Sequence, residues 1–316
     1  MPNWNSVIRE IALHRATHNQ SAFDIIRRKY LRLLQRHTGR NVIAYYSGFL
    51  SKKIEGTEIN DEDKNGFMAC IHNLDTDKGL DLILHAPGGD GAATESLVHY
   101  LRSKFDLDIR AIVPQIAMSG GTMMACSCKQ IIMGRQSSLG PIDPQFGFIS
   151  AVGLVSEVKK AYSEIMENER AALFWSPILG QITPSFLKAC EEAINNSNRF
   201  ITKTLADNMF VNLEPEEQRD KVEKVTRLLI NSEGQAHNTH FQYEDCEAAE
   251  LNVSRLEDDQ KLQDLVLTVH HCYMHTLSNT PAFKIIENHL GRATVKIQQQ
   301  MLIQAPIPSL SPSGPP

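Results

Sequence analysis

Two glycine-rich turns carry the residues of this chain that are best suited to chemistry. The first reads His85-Ala86-Pro87-Gly88-Gly89-Asp90-Gly91 and follows the apolar run Leu82-Ile83-Leu84. The second reads Met118-Ser119-Gly120-Gly121 and follows the apolar run 109–117. Turns of this kind before a helix leave backbone N–H groups unpaired, and such groups stabilise an anion. The two turns together predict an oxyanion hole with Ser119 as a nucleophile at its edge.

We expect the backbone N–H groups of Gly89 and Gly120 to form this hole. Glycine suits Gly88, Gly89 and Gly91 because a Cβ there would block the substrate or forbid a positive φ. Each donor in such a hole is commonly worth about 3 kcal/mol of transition-state stabilisation. Two simpler interpretations stay open, namely a plain tight turn and Ser119 as a helix N-cap, a position that serine favours.

The elements around these turns alternate between short apolar strands and helices, which is typical of an α/β domain with parallel strands. We predict strands over 41–49, 80–85, 109–117 and 130–134. The sequence also predicts helices over 5–37, 60–74, 92–105, 120–128, 156–174, 184–211, 215–231, 244–251 and 257–290. Long helices therefore dominate the chain after the second glycine turn.

The glycine turns at Ala86-Pro87-Gly88-Gly89 and Ser119-Gly120-Gly121 resemble those of the fold shared by Clp-type peptidases, signal peptide peptidase A and the crotonases. The segment Ser138-Leu139-Gly140-Pro141-Ile142-Asp143-Pro144-Gln145 is similar to the serine dehydrogenase proteinase family, near signal peptide peptidase A. This resemblance implies repeated strand-turn-helix units with a mostly parallel sheet, plus added N- and C-terminal helices. No Gly-x-Gly-x-x-Gly follows a strand, so a nucleotide-binding fold is not indicated.

The resemblance also implies a domain division and an assembly. We expect an N-terminal helical extension over 1–40, a serine peptidase domain over 41–255, a C-terminal helical segment over 256–300 and a disordered proline-rich tail over 301–316. Relatives bury their long helices against neighbouring subunits, so a homo-oligomer is expected. If the oligomer closed into a ring, its active sites would be hidden from folded proteins, and peptides or unfolded proteins would be the natural substrates.

Ser119 needs a base to take its proton. The resemblance to the signal peptide peptidase branch implies a Ser-Lys pair, in which the lysine follows on a helix after the Gly-Pro turn. Lys160 lies 41 positions after Ser119 and is the predicted base, with Lys159 as the alternative. The amine must be neutral, and burial beside apolar groups lowers a lysine pKa. The other interpretation places both lysines on a solvated helix face.

Two more side chains belong near the predicted site. A Clp-type triad would need a histidine within positions 140–150, and these positions contain none. His85 comes just before the first glycine turn, and we interpret it as packed beside the sheet. Asp143 is a candidate to orient a base or to cap a turn, and the Ile-Asp-Pro sequence favours capping.

Composition excludes several other classes of protein. Hydrophobic residues make up 42% and charged residues 22% of the chain, as in a globular protein. A net charge of -5 gives no reason to expect nucleic-acid binding. No run approaches the roughly 18 apolar residues of a membrane span, and no signal-peptide pattern is visible. Six cysteines are not a disulfide framework, so we expect buried thiols and a cytoplasmic setting.

A histidine-rich segment near the C-terminus looks like a metal cluster. His271 and His275 share a helix face, with His270 and Cys272 beside them. No second ligand pair at zinc spacing stands nearby, so we expect a packed helix, no metal and no cofactor. The favoured function is a serine peptidase. A crotonase-like acyl-CoA enzyme with Glu95 as a base and a non-catalytic scaffold are the alternatives.

Overall fold

A seven-stranded sheet forms the centre of the fold in the computed structural model, which describes residues 4–17, 22–230 and 238–298. The strands are β1 (Asn41–Ser47), β2 (Leu80–His85), β3 (Ile109–Val113), β4 (Ile116–Ala117), β5 (Gln130–Met133), β6 (Ser138–Leu139), β7 (Gln145–Phe146), β8 (Ile149–Ser150), β9 (Val253–Arg255), β10 (Ala282–Asn288) and β11 (Ala293–Ile297). The main sheet has the order β11-β10-β1-β2-β3-β5-β9. Strands β1, β2, β3, β5 and β9 run parallel, whereas β10 and β11 are antiparallel to their neighbours.

Helices follow most of the strands. They are α1 (Trp4–Thr17), α2 (Ala22–Thr38), α3 (Asp63–Ile71), α4 (Gly91–Phe105), α5 (Gly120–Cys126), α6 (Ala151–Glu167), α7 (Ala172–Leu179), α8 (Pro184–Thr204), α9 (Pro215–Leu229), α10 (Tyr243–Ala248) and α11 (Gln260–Asn279). Outside the main sheet, β4 and β6 form a parallel pair, and β7 and β8 form a hairpin. The predicted mixed α/β fold with a mostly parallel sheet is therefore confirmed.

Alternate residues of the central strands enter two different layers of the core. In β1, Val42, Ala44 and Tyr46 pack with side chains of α2 and α11. Ile43 and Tyr45 point to the opposite face, where α3, α4, α5, α8 and α9 contribute to a larger cluster. Successive side chains of a strand alternate between faces, and a parallel sheet covered on both faces buries both sets. The two glycine turns emerge from strands held rigidly in this way.

The N-terminal region is two helices, so the prediction of one helix over 5–37 is wrong. Val7 and Ile11 of α1 pack against Phe23 and Ile26 of α2, with Cys272 of α11 in the same cluster. A single straight helix could not bring its first turns back onto its own later residues. Two separate helices can each bury an apolar face in this cluster with α11, which favours the arrangement of α1 packed against α2.

The C-terminal segment 256–300 is only partly helical, which corrects the predicted helix over 257–290. Helix α11 ends at Asn279, and β10 and β11 follow at the edge of the main sheet. Pro281 marks the break, because the residue before a proline is disfavoured in the α conformation. Charged residues concealed the strand pattern, since Lys284 and Glu287 are buried within β10. The predicted tail over 301–316 lies outside the described residues.

One group of helices packs apart from the main core. We call residues 145–194 the arm; it contains β7, β8, α6, α7 and the first part of α8. Its own core is a small cluster around Ala151, Val155 and Cys190. Large apolar side chains of the arm remain exposed to solvent, among them Phe148, Tyr162, Met166, Leu173 and Phe174. None of the helices in the described ranges has the length and apolar character needed to cross a bilayer.

Candidate active site

The two glycine turns lie side by side because the segments that precede them pair with each other. The Met118 N–H donates to Ala86 O at 3.0 Å, and the Ala86 N–H donates to Ile116 O at 3.2 Å. These bonds form a parallel bridge between Ala86 and Ala117. Paired parallel segments end at the same edge of the structure, so the turns that follow them meet there.

The contact between the turns is close enough to require glycine. Gly88 has φ +107°, and a Cβ on it would lie 2.7 Å from Ser119 Cβ and 3.3 Å from Gly120 N. A Cβ on Gly120 would lie 3.4 Å from Gly89 N and 2.8 Å from Thr94 Oγ1. Gly91 differs, since a Cβ there would meet no atom within 4 Å and its φ is not positive. A positive φ is therefore not the reason for glycine at position 91, which lies on the wall of the cavity that opens over Ser119.

The orientation of the Gly89 amide follows from a third segment, which pairs with the first turn from the opposite side. The Ile59 N–H donates to Gly88 O at 2.7 Å, and the Asp90 N–H donates to Ile59 O at 2.9 Å. Peptide groups alternate in direction along an extended segment, so the Gly89 N–H points away from Ile59. Within the described ranges, neither the Gly89 nor the Gly120 N–H donates to a protein acceptor.

Ser119 has the backbone of a strained residue. Its φ of 47° and ψ of -110° lie outside the regions that non-glycine residues favour. It precedes α5, yet its side chain makes no capping hydrogen bond, which contradicts the N-cap interpretation. Strain of this kind costs of order 1–3 kcal/mol and clusters at active sites. The geometry therefore holds a half-buried hydroxyl beside two unpaired amides.

A cavity of about 710 Å³ opens over this hydroxyl. Its walls come from the first glycine turn, from α4, from the loop before α6 and from α8; they include Glu58, Gly89, Asp90, Glu95, Ser119, Ile142, Asp143, Phe146, Asn196, Ser197, Arg199 and Phe200. Glu58 and the residues of α8 belong to the cavity wall although no sequence motif marks them. Both are distant from the glycine motifs along the chain. The residues of α8 reach the cavity because α8 packs against α5.

Neither predicted lysine lies on this cavity. Lys160 projects from α6 with 68% of its side chain exposed, and its Nζ lies 3.9 Å from Glu164 Oε1. Lys159 is also exposed. The structure thus places Ser119, Gly89 and Asp143 on one cavity, with Gly88 and Gly120 packed beside Ser119. It leaves both lysines of the same chain on the solvated face of a helix.

Asp143 lies on the cavity wall and supports the loop before α6. Its carboxylate accepts hydrogen bonds from Ser150 Oγ and Gln145 Nε2, both at 2.9 Å, and from Val152 N at 3.4 Å. Since Ser150 in turn caps α6, these contacts agree with the predicted capping role.

His85 is fully buried beside the sheet, as its interpretation as a packed residue predicts, and it does not line the cavity. Its ring nitrogens lie 3.1 Å from Ser47 O and 3.2 Å from Gln115 Oε1. Burial lowers the pKa of His85 to about 4. A histidine held neutral in this position is part of the core.

The other histidines of interest also pack within the fold. His270 Nδ1 lies 3.3 Å from Tyr46 Oη, and His275 Nε2 lies 3.1 Å from Trp4 O. Among the residues that the structure describes, no three His, Cys, Asp or Glu side chains are grouped so that they would hold a metal ion. All six cysteines are buried and free, as expected for packed thiols.

A strained serine thus lies in the second of two facing glycine turns, at one edge of a mostly parallel sheet. The sequence profile of the ClpP-like SDH-type serine proteinases matches residues 11–225, more than half of the chain. The chain therefore belongs to this family of serine peptidases.

Two archaeal proteins are similar to part of the chain. It is 32% identical over 149 residues to the uncharacterized protein MJ0137 of Methanocaldococcus jannaschii. It is 27% identical over 172 residues to the uncharacterized protein MJ1495 of the same organism. These regions cover 47% and 53% of this chain, and 47% and 56% of the relatives. The chain thus spans about half the length of the curated relatives it matches.

Proposed function

We propose that this protein hydrolyses peptide bonds with Ser119 as the nucleophile. Ser119 Oγ forms a bond to the carbonyl carbon while its proton passes to a base, and the carbonyl oxygen becomes an oxyanion. Collapse of this intermediate breaks the C–N bond, and the base returns the proton to the leaving amine. Water then attacks the acyl-serine by the same route and releases the acid.

The observation that carries this proposal is the contact between the two turns. The unpaired N–H groups of Gly89 and Gly120 lie on facing backbones, next to the strained Ser119. Donors fixed in place before the reaction stabilise an oxyanion without reorganisation, and each is worth roughly 3 kcal/mol. A plain tight turn would need neither the strain at Ser119 nor the absence of acceptors for these amides.

For the base we propose Lys160, with Lys159 as the alternative, on the basis of their spacing from Ser119. The cavity of one chain is lined by the carboxylates of Glu58, Asp90, Glu95 and Asp143 and by the guanidinium of Arg199, without a lysine or histidine from the described residues. We therefore propose that Lys160 reaches the cavity from another copy of the chain. Burial in that interface would lower the lysine pKa, as a neutral amine requires.

We infer self-association through the arm. Its exposed apolar side chains, such as Phe148 and Phe174, form a surface of the kind that marks protein interfaces. Lys160 lies on α6 within the same arm, so an arm-mediated contact would also place this lysine at the interface. We propose peptides or unfolded proteins as the substrates of such an assembly. For its location we propose the cytoplasm, where free thiols such as the six buried cysteines persist.

A second candidate function has one observation in its favour. Glu95 lies on the cavity wall with Ser119, where a carboxylate base of a crotonase-like acyl-CoA enzyme would be placed. That reaction uses the same oxyanion hole and forms no acyl-serine. The two functions therefore differ in whether Ser119 becomes covalently modified.

The decisive experiment compares the wild-type protein with Ser119→Ala and with the control Ser103→Ala, an exposed serine on α4 away from the cavity and the arm. Fluorescein-labelled casein reports peptidase activity, and p-nitrophenyl acetate reports acyl transfer. We expect Ser119→Ala to lose activity by about 1,000-fold or more, while Ser103→Ala retains it. Thermal unfolding should change little, since the Ser119 side chain makes no capping hydrogen bond.

Mass spectrometry of the acetylated enzyme should locate the acetyl group on the peptide that contains Ser119. Full turnover by Ser119→Ala would refute the proposal. Turnover of an acyl-CoA thioester that depends on Glu95, without acylation of Ser119, would favour the crotonase-like reaction instead.

A further inference from the structure

A buried ion pair lies behind the oxyanion turn and has no part in the reaction proposed above. Lys284 of β10 and Asp63 of α3 are 1% and 0% exposed, and Lys284 Nζ lies 2.9 and 3.0 Å from the two carboxylate oxygens. The same carboxylate accepts a hydrogen bond from Tyr45 Oη at 2.8 Å. Burial of charges is costly unless they are paired and hydrogen-bonded. A buried pair next to an active site therefore calls for a physical explanation.

The pair holds both ends of a three-residue segment. Lys284 Nζ donates to Glu58 O at 2.6 Å, and Asp63 Oδ2 accepts from the Asn60 N–H at 3.1 Å. Ile59 lies between these two residues, and its own N–H and C=O point the other way, to Gly88 O and the Asp90 N–H. One edge of the segment is thus bonded to the ion pair and the other edge to the oxyanion turn.

The contact between this segment and the turn leaves no space for a side chain. A Cβ on Gly89 would lie 2.3 Å from both Ile59 N and Ile59 O. A shift of Ile59 would therefore move the turn and change the direction of the Gly89 N–H. An oxyanion donor works only at hydrogen-bond distance from the developing charge, so such a shift would weaken catalysis.

We propose that Lys284 and Asp63 are positioning residues, which fix the Gly89 N–H in the oxyanion hole by holding the backbone of residues 58–60. This proposal rests on the proposed function for its effect on turnover. The placement of the turn itself is independent of that function. Strands β10 and β11 would then be a necessary support of the site.

The test compares Lys284→Met with a matched control, Arg27→Met. Arg27 also forms a buried ion pair with β10, through Arg27 Nε and Glu287 Oε2 at 2.8 Å, but its side-chain hydrogen bonds go to Glu287, Thr276 and Asp24 and not to residues 58–60. With p-nitrophenyl acetate, we expect Lys284→Met to lower kcat by about 100-fold with KM within about twofold of wild type. Arg27→Met should lose stability and keep the wild-type kcat in its folded fraction.

A double variant, Lys284→Met/Asp63→Asn, separates positioning from stability. It removes both charges of the pair. Lys296, whose Nζ also lies 3.3 Å from Asp63 Oδ1, keeps Glu62 Oε2 as a partner at 2.9 Å, so the double variant should fold even where Lys284→Met does not. We expect its melting temperature to recover towards wild type while kcat stays about 100-fold low, because Glu58 O still lacks its donor. Recovery of kcat together with stability would overturn the proposal.

Hydrogen exchange gives a readout that does not depend on turnover. In both Lys284 variants the amides of Ile59 and Asp90, which bond the segment to the turn, should exchange faster than in wild type, while those of β2 (residues 80–85) remain protected. Unchanged exchange at Ile59 and Asp90 would overturn the proposal. If Ser119→Ala kept full activity, the proposed function would fail, and this exchange measurement would still decide whether the pair positions the turn.

Discussion

Ser119 shows how a single residue is held in an unfavourable conformation. Its positive φ persists because contacts on both sides determine it: Gly88 packs against its side chain, and the Met123 N–H donates to its carbonyl at 2.9 Å. Surrounding structure of this kind is what keeps strained residues in place at functional sites. The strain therefore follows from the fold rather than from the residue type.

His85 illustrates a different effect at the same scale. It lies only a few residues before the oxyanion turn, yet desolvation keeps its ring neutral and its pKa at about 4. His270 lies close by, with the two ring centroids 5.5 Å apart, and burial lowers the pKa of His270 as well. Protonation of either ring is thus opposed in the folded state.

We expect acid to destabilise the protein through His85. Between pH 6.5 and pH 4 the unfolded chain binds a proton at this histidine and the folded protein does not, so the free energy of unfolding falls as the pH falls. The lowering of the His85 pKa from 6.5 to about 4 corresponds to a loss of about 3 kcal/mol in the free energy of unfolding. Urea unfolding at pH 7 and pH 4 should show a smaller loss for His85→Gln than for wild type.

The control for this measurement is His99→Gln, which changes an exposed histidine on α4. It should lose as much stability on acidification as the wild type does. An equal loss in His85→Gln would show that His85 does not contribute.

At the scale of elements, the site is a product of two strand-turn-helix units placed in parallel. The segments that precede the two turns pair with each other through the parallel bridge between Ala86 and Ala117. Each turn also begins a helix, and Asp90 caps α4 by accepting from the Ala93 N–H at 2.7 Å. Strand pairing therefore sets the distance between the turns, and the helices that follow fix their direction.

Two glycines of the same turn provide a matched comparison. In Gly88→Ala the new Cβ would lie 2.7 Å from Ser119 Cβ, so the turns must separate; we expect kcat to fall by about 100-fold and stability by about 1 kcal/mol. Gly91→Ala adds its Cβ at the first position of α4, where no protein atom lies within 4 Å, so it should keep wild-type stability and lose much less kcat than Gly88→Ala. Kinetics with p-nitrophenyl acetate and thermal melts would measure both effects. Similar kcat values in the two variants would contradict the close fit.

At the scale of the whole molecule, the arm is the part of the chain through which we propose that copies assemble. It packs on a small core of its own, and its apolar side chains face solvent. The proposed base lies on the same arm, outside the cavity of its own chain. Assembly would bury the apolar surface and complete the site in one step.

This assembly predicts complementation between inactive variants. Ser119→Ala and Lys160→Met should each be inactive alone, and an equimolar mixture after subunit exchange should recover roughly a quarter of wild-type activity, because each site would draw its serine and lysine from different copies. Casein hydrolysis measures the recovery, and light scattering should show an oligomer.

The control variant is Lys188→Met, which removes an exposed lysine that forms the same type of i,i+4 ion pair, with Glu192 at 3.6 Å. It should remain active. A monomer in solution, or a fully active Lys160→Met, would rule out the contribution of this lysine from a second copy.

The order of strands, turns and helices around the site was predictable from local patterns. Strand β2 begins and ends where the apolar run indicates, and α4 and α5 begin within one residue of their predicted starts. Gly88 and Gly89 were recognisable because a positive φ is a local property of the backbone that glycine tolerates best. Motifs of this kind depend on neighbouring residues in the chain, so sequence alone reveals them.

The remaining features depend on contacts between distant residues. Lys284 falls within the predicted helix over 257–290, whereas in the structure it lies in β10 and pairs inside the core with Asp63, 221 positions away. Lys160 matches the spacing of a base, yet its exposure is decided by what packs against α6.

The sequence by itself determined the nucleophile candidate, the two glycine turns and the parallel α/β fold, since periodicity and turn chemistry are local. Only the tertiary structure decided which charges are buried, that β10 and β11 complete the sheet, and that the segment around Ile59 lies against the oxyanion turn. The physical reason is that burial and pairing are set by the chain as a whole, through packing that no short stretch of residues encodes.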